Sequence, residues 1–224
     1  MEKIFNESVI NMLPLTKGII VSFCNPKTGA VNGYKMVGFE DGRVSNITQE
    51  IYLFEKFGSE FEHFEHVIKK IDNPITCFAA HLSNGELIVL SKCGDATLFD
   101  TDAGVKWRGK LTLGNARPTG LTVVGRKLWV AYSDANAIVR YNALTMKSEL
   151  RIGGGEHPAF FAPEGMWLAN NRMTICCAGD KKLCRIDLDS FDMEELASFD
   201  EPIYQYFNIA GYELVRLQSG IYLI

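Results

Sequence analysis

Four polar or charged residues that could form a binding site each stand directly before a proline. They are Asn73, Arg117, His157 and Glu201, and they follow one another at intervals of about 40 to 44 residues. An amide, a guanidinium, an imidazole and a carboxylate brought together could hold a polar ligand, and a histidine beside a glutamate could act as acid and base. The simpler interpretation is that all four are solvent-facing turn residues. We predict them as ligand-binding residues and assign none of them a catalytic role.

Acidic and amide side chains in three predicted turns are of the kind that binds calcium through oxygen. The turns contain Asp95, Asp180, and the pair Asp134 and Asn136. Their spacing matches no calcium-binding loop, and Asp and Asn in turns commonly hydrogen-bond to their own backbone. We therefore expect these residues to shape turns, and we predict no metal site and no cofactor.

Histidine and cysteine pairs elsewhere carry metal-binding atoms but lack the geometry for a shared metal. His63 and His66 lie in an acidic, aromatic stretch that we predict as a strand, where a spacing of three puts them on opposite faces. A zinc site formed by Cys176, Cys177 and Cys184 is disfavoured because Cys176 and Cys177 are neighbours on a predicted strand and point to opposite faces. The six cysteines form no C-x-x-C pair, so we expect buried free thiols in a reducing compartment.

Sequence signatures of nucleophilic and phosphate chemistry are missing. There is no G-x-S-x-G motif, and the glycine run at residues 153–155 lacks the Lys-Ser/Thr pair of a phosphate-binding loop. The three tryptophans, Trp107, Trp129 and Trp167, fall on predicted strands. We expect them to pack between strands, although one at an exposed rim could stack on a sugar or a peptide.

An internal repeat predicts the elements that position these residues. Three stretches each read as an apolar strand, a turn of Gly, Asp, Asn or Ser, and a second strand: Glu86–Asp100, Lys127–Asn142 and Arg172–Asp187. Small polar residues in the middle of such a stretch are typical of a hairpin turn. A strand introduced by a proline precedes each stretch, and an amphipathic strand follows it. Four strands in a period of this length predict the blade of a β-propeller.

The predicted fold is a single all-β domain, a propeller of about five four-stranded blades, with six as the alternative count. The blades are expected over residues 11–72, 73–114, 115–155 and 156–200, and the last over 201–224 together with 1–10. The C-terminal residues provide only part of that last blade. We therefore expect the N-terminal strand to pair with the C-terminal strands and close the ring, since open strand edges promote aggregation.

The first predicted blade is longer and less regular than the others. Its strands are expected over Gly18–Cys24, Tyr34–Glu40 and Glu50–Phe57, with an outer strand near Phe61–Ile68. Residues Val44–Thr48 are expected to form an extra turn. The added length is what leaves a sixth, degenerate blade open.

From Gly114 to Asp200 the pattern resembles the YVTN and NHL classes of β-propeller repeat. The resemblance rests on an x-Pro pair, a strand like Lys127–Tyr132, a turn, and a strand like Ile138–Asn142, with Leu150–Pro158 resembling a junction between blades. It covers about two-fifths of the chain well. Propellers serve as scaffolds, lectins, lyases, lactonases and glycosidases, so the resemblance implies a fold and leaves the chemistry open.

Composition limits the class of partner. The 224 residues are 47% hydrophobic and 22% charged with a formal net charge of −4, which is typical of a globular protein and argues against a nucleic-acid surface. No apolar run approaches the roughly 20 residues that span a bilayer. The first residues lack the pattern of a secretion signal. We therefore expect a cytoplasmic monomer with no nucleic-acid and no membrane partner.

The function that these observations favour is a non-catalytic binding module that presents one propeller face to a protein or a small polar ligand. The alternative is a propeller enzyme of lactonase or lyase type with a site at the channel mouth. Such propeller enzymes hold a divalent metal with several carboxylates or amides at the axis. Among the candidate residues only Asn73 and Glu201 fit that role, which favours the binding module.

Overall fold

Five antiparallel four-stranded sheets form the blades of a β-propeller in the structure, which is a computed structural model. It describes residues 1–5, 8–24, 28, 31–40, 43–47, 61–71, 77–155 and 159–224. Within these residues the sheets number five, so the smaller of the two predicted blade counts is confirmed. None of the helical residues described forms a segment long and apolar enough to cross a bilayer.

The strands of the first four blades follow one another along the chain. Blade I contains β2 (Ser8–Leu15), β3 (Gly18–Cys24), β4 (Val31–Glu40) and β5 (Arg43–Ile47). Blade II contains β6 (Phe78–His81), β7 (Leu87–Leu90), β8 (Asp95–Phe99) and β9 (Val105–Lys110). Blade III contains β10 (Gly120–Val124), β11 (Lys127–Tyr132), β12 (Ala137–Asn142) and β13 (Ser148–Gly153). Blade IV contains β14 (Pro163–Ala169), β15 (Arg172–Cys177), β16 (Lys182–Asp187) and β17 (Met193–Ser198).

Blade V joins the two ends of the chain. Its strands are β18 (Ile203–Ile209), β19 (Tyr212–Leu217), β20 (Gly220–Leu223) and the N-terminal strand β1 (Glu2–Phe5). Strand β1 pairs antiparallel with β20, and Phe5 at its end is buried with its ring 6.0 Å from that of Phe23 in blade I. The predicted closure of the ring by the N-terminal strand is therefore confirmed.

The first strand of each blade lies nearest the axis. Strands β2, β6, β10, β14 and β18 each contact the inner strand of the next blade around the ring. Two glycines allow this close approach, because a Cβ at Gly120 would collide with the carbonyl oxygen of Glu164, and one at Gly165 would lie 2.7 Å from Tyr204 O and from Gln205 Cα. The inner strands of blades III, IV and V therefore pack backbone against backbone.

Residues 61–68 form a helix, α1, so the strand predicted near Phe61–Ile68 is wrong. The helix buries Phe64 and Val67 in a cluster shared with blades I and II, and Ile71 packs against the same cluster. A spacing of three and four residues places these side chains on one helical face. The same residues also fit an alternating pattern, which is why the sequence was ambiguous here.

The outer part of blade I also differs from the prediction. Strand β3 has the predicted bounds, but an additional inner strand, β2, precedes it. The outer strand is β5, over residues predicted as a turn, because Arg43–Ile47 pairs with β4 from Met36 to Glu40. The strand predicted over Glu50–Phe57 lies outside the described residues. The strands predicted over Gly18–Cys24 and Tyr34–Glu40 were thus each assigned one place too early in the blade.

Candidate functional site

Of the four residues predicted to bind a ligand, the structure describes two, Arg117 and Glu201. Arg117 is exposed three residues before β10, and Glu201 is half-buried two residues before β18. The Glu201 carboxylate accepts hydrogen bonds from the backbone N–H of Ser219, at 2.8 Å, and from its hydroxyl, so it helps to fix the turn between β19 and β20. Asn73 and His157 lie outside the described residues. The site prediction for the four residues as a set therefore stays a prediction.

A hydrogen-bond network marks the end of the axis where the inner strands begin, which we call the channel mouth. Thr119 Oγ1 donates to Pro163 O at 2.9 Å, and Ser133 Oγ lies 2.7 Å from the same oxygen. The backbone N–H of Ser133 donates to Thr119 Oγ1 at 3.2 Å. These bonds tie the turn after β11 and the start of β10 to the start of β14. Blade III is thereby held against blade IV at the channel mouth.

Glu164 is the carboxylate of this network. Its Oε1 lies 3.1 Å from Ser133 Oγ, whose single proton also has Pro163 O within reach. Burial raises the pKa of Glu164, and the charge of Arg216 and the hydrogen bond from Ser133 only partly offset that effect. Lys92 and Asp134, on the neighbouring hairpin turns, add smaller electrostatic effects of opposite sign. A carboxyl in this environment can exchange a proton nearer to neutrality than an exposed one.

Arg216, on β19, is the cation that faces Glu164. Burial lowers the pKa of its guanidinium to about 10, and the Glu164 carboxylate acts in the opposite direction. The guanidinium stacks over the ring of Tyr204, 4.7 Å from its centroid, and its Nη1 donates to Val9 O at 3.4 Å. The buried Nε has no hydrogen-bond partner in the described part of the chain. Part of the donor capacity of Arg216 is therefore unused.

Glu164 and Arg216 interact electrostatically, but they do not form an ion pair. Each shifts the pKa of the other, yet no contact within 4.0 Å joins the carboxylate to the guanidinium in the residues described. Cys176, fully buried on β15, is close enough that both charges affect the pKa of its thiol, which burial raises. Two opposite charges are thus held near the axis, on neighbouring blades, without direct contact.

A belt of buried amides lies one residue further along the inner strands. Gln205 Nε2 donates to Asn11 Oδ1 at 2.8 Å and to Met12 O at 2.9 Å, while its Oε1 accepts from Met12 N at 2.9 Å. Asn11 Nδ2 donates in turn to Cys77 O at 2.8 Å. These bonds connect blades V, I and II, and Gly165 of blade IV packs on Gln205.

The residues considered for metal binding take other roles. No group of three or more His, Cys, Asp or Glu side chains that could hold a metal occurs among the residues described. Asp95 lies 3.5 Å from Lys110, and Asn136 adopts a left-handed turn conformation in which its Oδ1 accepts from Ala162 N at 2.8 Å. These contacts agree with the turn interpretation.

His63 lies on helix α1 and pairs with His81 of β6, so the strand geometry assumed for it was wrong. His63 Nε2 is 2.7 Å from Asp100 O, to which it must donate, and His63 Nδ1 is 3.3 Å from His81 Nε2. Either His63 Nδ1 or His81 Nε2 carries the proton of this second contact, according to the tautomer of the two rings. Burial, with a contribution from His63, lowers the pKa of His81 to about 4. These two contacts of His63 fasten the helix to blade II.

No disulfide joins any of the six cysteines. Four are buried, whereas Cys24 is half-buried and Cys93 is exposed. The expectation of buried thiols therefore holds for four of the six.

The sequence interpretation missed Glu164, Tyr204 and Arg216. The inner strand of blade IV begins at Pro163, five residues after the proline from which the blade was predicted. Glu164 directly follows this second proline, Pro163, so a search for residues after prolines would have found it. Arg216 alternates with apolar residues on a second strand, and no pattern in the sequence shows that its guanidinium reaches the axis.

No family model matches the sequence, and no curated protein matches it. Among solved structures, the glutaminyl cyclase of Myxococcus xanthus has a TM-score of 0.54 and 9% identity over 97% of this chain and 90% of that chain. The computationally designed protein Ika4 has a TM-score of 0.49 and 10% identity over 65% and 88% of the two chains. The hydrazine synthase of Kuenenia stuttgartiensis has a TM-score of 0.48 and 13% identity over 68% of this chain and half, 50%, of that chain.

These similarities concern the fold alone. The chain is a five-bladed β-propeller, and the match to the Myxococcus xanthus protein extends over nearly its whole length. At 9% identity the match assigns no activity and no site residue to this chain.

Proposed function

We propose that this propeller is a binding module that holds a small zwitterionic ligand at the channel mouth. The observation that carries the proposal is the pair of half-buried opposite charges, Glu164 and Arg216, which influence each other's pKa without forming an ion pair. A ligand with an ammonium group and a carboxylate can place the first at Glu164 and the second at Arg216. Each charge would then have a partner, which offsets the cost of its partial desolvation.

The predicted rim residues belong to the same proposal. Arg117 precedes β10 and Glu201 precedes β18, at the end of the axis where Glu164 lies. We propose that Asn73, Arg117, His157 and Glu201 form an outer polar rim through which the ligand enters. Arg117 is exposed and has the reach to attract a carboxylate before it meets Arg216.

Calorimetric titration with charge-separated probes tests this function. The probes are glycine, glutamine and the dipeptide Gly-Gly, which carry both charges, with acetate and ethylamine, which carry one each. We expect the zwitterions to bind more tightly than either single-charge probe. Arg216→Lys keeps the charge but loses the planar fork that matches a carboxylate, and Glu164→Gln loses the anion, so each should weaken binding by roughly tenfold or more.

Arg140→Gln in blade III is the matched control for the arginine substitution and should leave the titration unchanged. Equal affinity for acetate and for glycine, or unchanged binding by Glu164→Gln, would contradict the proposal. Far-ultraviolet circular dichroism of each variant separates lost binding from lost folding.

A second candidate function is acid–base catalysis at the channel mouth, the lactonase or lyase alternative among the predictions. The raised pKa of Glu164 supports it, since a carboxyl titrating closer to neutrality can serve as a general acid or base. The same samples can be assayed for hydrolysis of a simple lactone and for ammonia release from a peptide with N-terminal glutamine, the second because one protein of this fold is a glutaminyl cyclase by name. Turnover abolished by Glu164→Gln, or a stoichiometric divalent metal in the purified protein, would favour the enzyme.

Three finer assignments stay part of the proposal. The repeat type is proposed to be of the YVTN or NHL class on the pattern from Gly114 to Asp200. A reducing, cytoplasmic location is proposed because the six cysteines form no disulfide and four of them are buried. The protein is proposed to act as a monomer.

A further inference from the structure

A polar groove opens between blades IV and V at the end of the inner strands opposite the channel mouth; we call it the interblade groove. Its cavity volume is about 670 Å³, within the range of small-molecule sites. It lies beside the last residues of β14 and β18, whereas Glu164 lies at the start of β14. The side chains that matter for recognition are Trp167, Arg172, Arg185, Tyr206, Asn208 and Glu213.

The groove exists because blade IV has a small residue where blade III has a large one. In blade III, Trp129 of β11 is buried and the Arg140 guanidinium lies over its ring, 5.4 Å from the centroid. In blade IV the corresponding cross-strand pair is Thr174 and Arg185. Threonine leaves the space next to Arg185 unfilled, and the tryptophan of this blade, Trp167, stands on the inner strand opposite Thr174.

Most side chains that line the groove are polar or aromatic. Of the described residues that line it, Ala169 alone has a purely aliphatic side chain. Trp167 is half-buried, and its ring meets that of Phe207 edge-to-face at 5.8 Å, which holds the indole in place. The indole offers a surface for aliphatic C–H groups, and the polar side chains around it favour a ligand that also carries hydrogen-bonding groups.

Glu213 is oriented in advance as an acceptor. The buried Tyr206 hydroxyl donates to its Oε1 at 3.0 Å, and Asn208 Nδ2 donates to the same atom at 3.4 Å. Burial and the Glu213 carboxylate raise the pKa of Tyr206 to about 12, so its hydroxyl stays a donor. Both bonds go to Oε1, and Oε2 carries no hydrogen bond within the described residues. That oxygen can accept from a ligand hydroxyl.

The charges of the groove disfavour a polyanion. A second cavity of about 290 Å³ shares Arg172 and Arg185 with the groove and continues it across the outer strand of blade IV. Around the two cavities, four carboxylates stand against the two guanidiniums: Asp187, Asp192, Glu194 and Glu213. Arg185 Nη1 already lies 3.4 Å from Glu194, and Arg172 Nε lies 3.7 Å from Asp187. A nucleic acid or a sulfated polymer would be repelled by this excess of negative charge.

We infer that the interblade groove is a binding site for a neutral oligosaccharide. A sugar ring has a C–H face that packs on an indole and hydroxyls that both donate and accept, and Trp167, Asn208, Arg185 and Glu213 provide these partners. The continuation past Arg185 toward the outer strand gives room for further rings. This site lies apart from the channel mouth and does not depend on the function proposed there.

Calorimetric or saturation-transfer NMR titration with cellotriose, maltotriose and N,N′-diacetylchitobiose tests the inference. We expect at least one of the three to bind the wild type. Thr174→Trp places a ring next to Arg185 as in blade III and should weaken that binding at least tenfold, and Glu213→Gln, which loses the charged acceptor, should weaken it about tenfold. Arg140→Gln, the corresponding arginine of blade III, should bind as the wild type does.

The double variant W167T/T174W reproduces the Thr–Trp arrangement of β10 and β11, where Thr122 pairs with Trp129, and replaces the single variant if that does not fold. It too should lose the sugar. Failure of all three sugars to bind, or equal binding by a folded Thr174→Trp or W167T/T174W protein, would overturn the assignment. Preferential binding of heparin or of an acidic peptide would overturn it as well, because the groove would then select charge.

Discussion

The interface between blades IV and V has two ends, and the charged side chains at these ends have different environments. At the channel mouth, Glu164 and Arg216 are half-buried, and this burial shifts the pKa of both toward the neutral form. At the interblade groove, the arginine and carboxylate side chains of the outer strands reach solvent, and Arg185 keeps 32% of its side-chain area exposed. The apolar cluster of Cys176, Leu183 and Val215 separates the two ends.

This difference indicates which kind of ligand each end of the interface can bind. A buried charge without a partner costs several times more than an exposed one, so the channel mouth needs a ligand or a rigid network to compensate. Exposed ion pairs contribute about 0–1 kcal/mol and can be exchanged for water at little cost. The first end is suited to a ligand that brings matching charges, and the second to one that brings hydroxyls.

The largest expected effect comes from Gln205→Leu, which breaks the belt below the channel mouth. The substitution removes three hydrogen bonds of 2.8–2.9 Å and leaves the C=O of Met12 without the amide that it bonded, whereas the N–H of Met12 keeps its bond of 3.0 Å to Asn11 Oδ1. We expect the free energy of unfolding to fall by roughly 2–4 kcal/mol, since each lost hydrogen bond contributes about 1 kcal/mol and an unsatisfied buried group costs about 1–3 kcal/mol. Urea unfolding followed by tryptophan fluorescence measures it.

Asn208→Ala on the same strand is the matched control. Its amide is exposed at the groove end of β18 and makes one long bond, 3.4 Å, to Glu213. We expect a change within about 0.5 kcal/mol. Similar losses for the two variants would mean that the two ends of the interface do not differ in the way described.

A smaller, pH-dependent effect is expected for Glu164→Gln. Because the folded pKa of Glu164 is raised above its usual 4.5, the stability it contributes is greatest below 4.5 and is lost as pH rises through the folded pKa. The amide of the variant does not titrate. The wild type should therefore gain stability relative to Glu164→Gln when urea unfolding at pH 7 is repeated at pH 4.5. A relative loss on acidification would show that attraction to Arg216 outweighs burial.

The sequence predicted the architecture because the fold depends on local signals that recur. Hairpin turns, their spacing and the missing strand of the last blade predicted five sheets and the pairing of β1 with β20. Prediction failed where local signals conflict, as in α1, whose residues fit two periodicities, and in blade I, where Ser8–Leu15 has no introducing proline before its first residue. Each failure shifted strand assignments without changing the class of fold.

The candidate site was predicted less well, for a physical reason. Residues that precede a proline can be found in a sequence. The burial of a side chain cannot, and burial is the largest cause of the pKa shifts of Glu164 and Arg216. The paired charges come from two blades and lie more than 50 residues apart in sequence. Only the ring geometry, with inner strands in backbone contact at Gly120 and Gly165, places them at one end of the axis.

The smallest expected effect compares the two repeat-equivalent arginines, Arg185 and Arg140. Arg185→Gln removes one ion pair of 3.4 Å to Glu194, whose side chain is 60% exposed, and should change the free energy of unfolding by no more than about 0.5 kcal/mol. Arg140→Gln also uncovers the ring of Trp129 and removes a contact of 3.2 Å to Glu149, so it should cost about 0.5–1 kcal/mol more. Urea unfolding of both variants at low and high salt measures the difference, which should persist in salt because stacking is screened less than an exposed ion pair. Equal changes in the free energy of unfolding would mean that Arg185 beside Thr174 is packed as well as Arg140 beside Trp129. The groove would then lack the open space assigned to it.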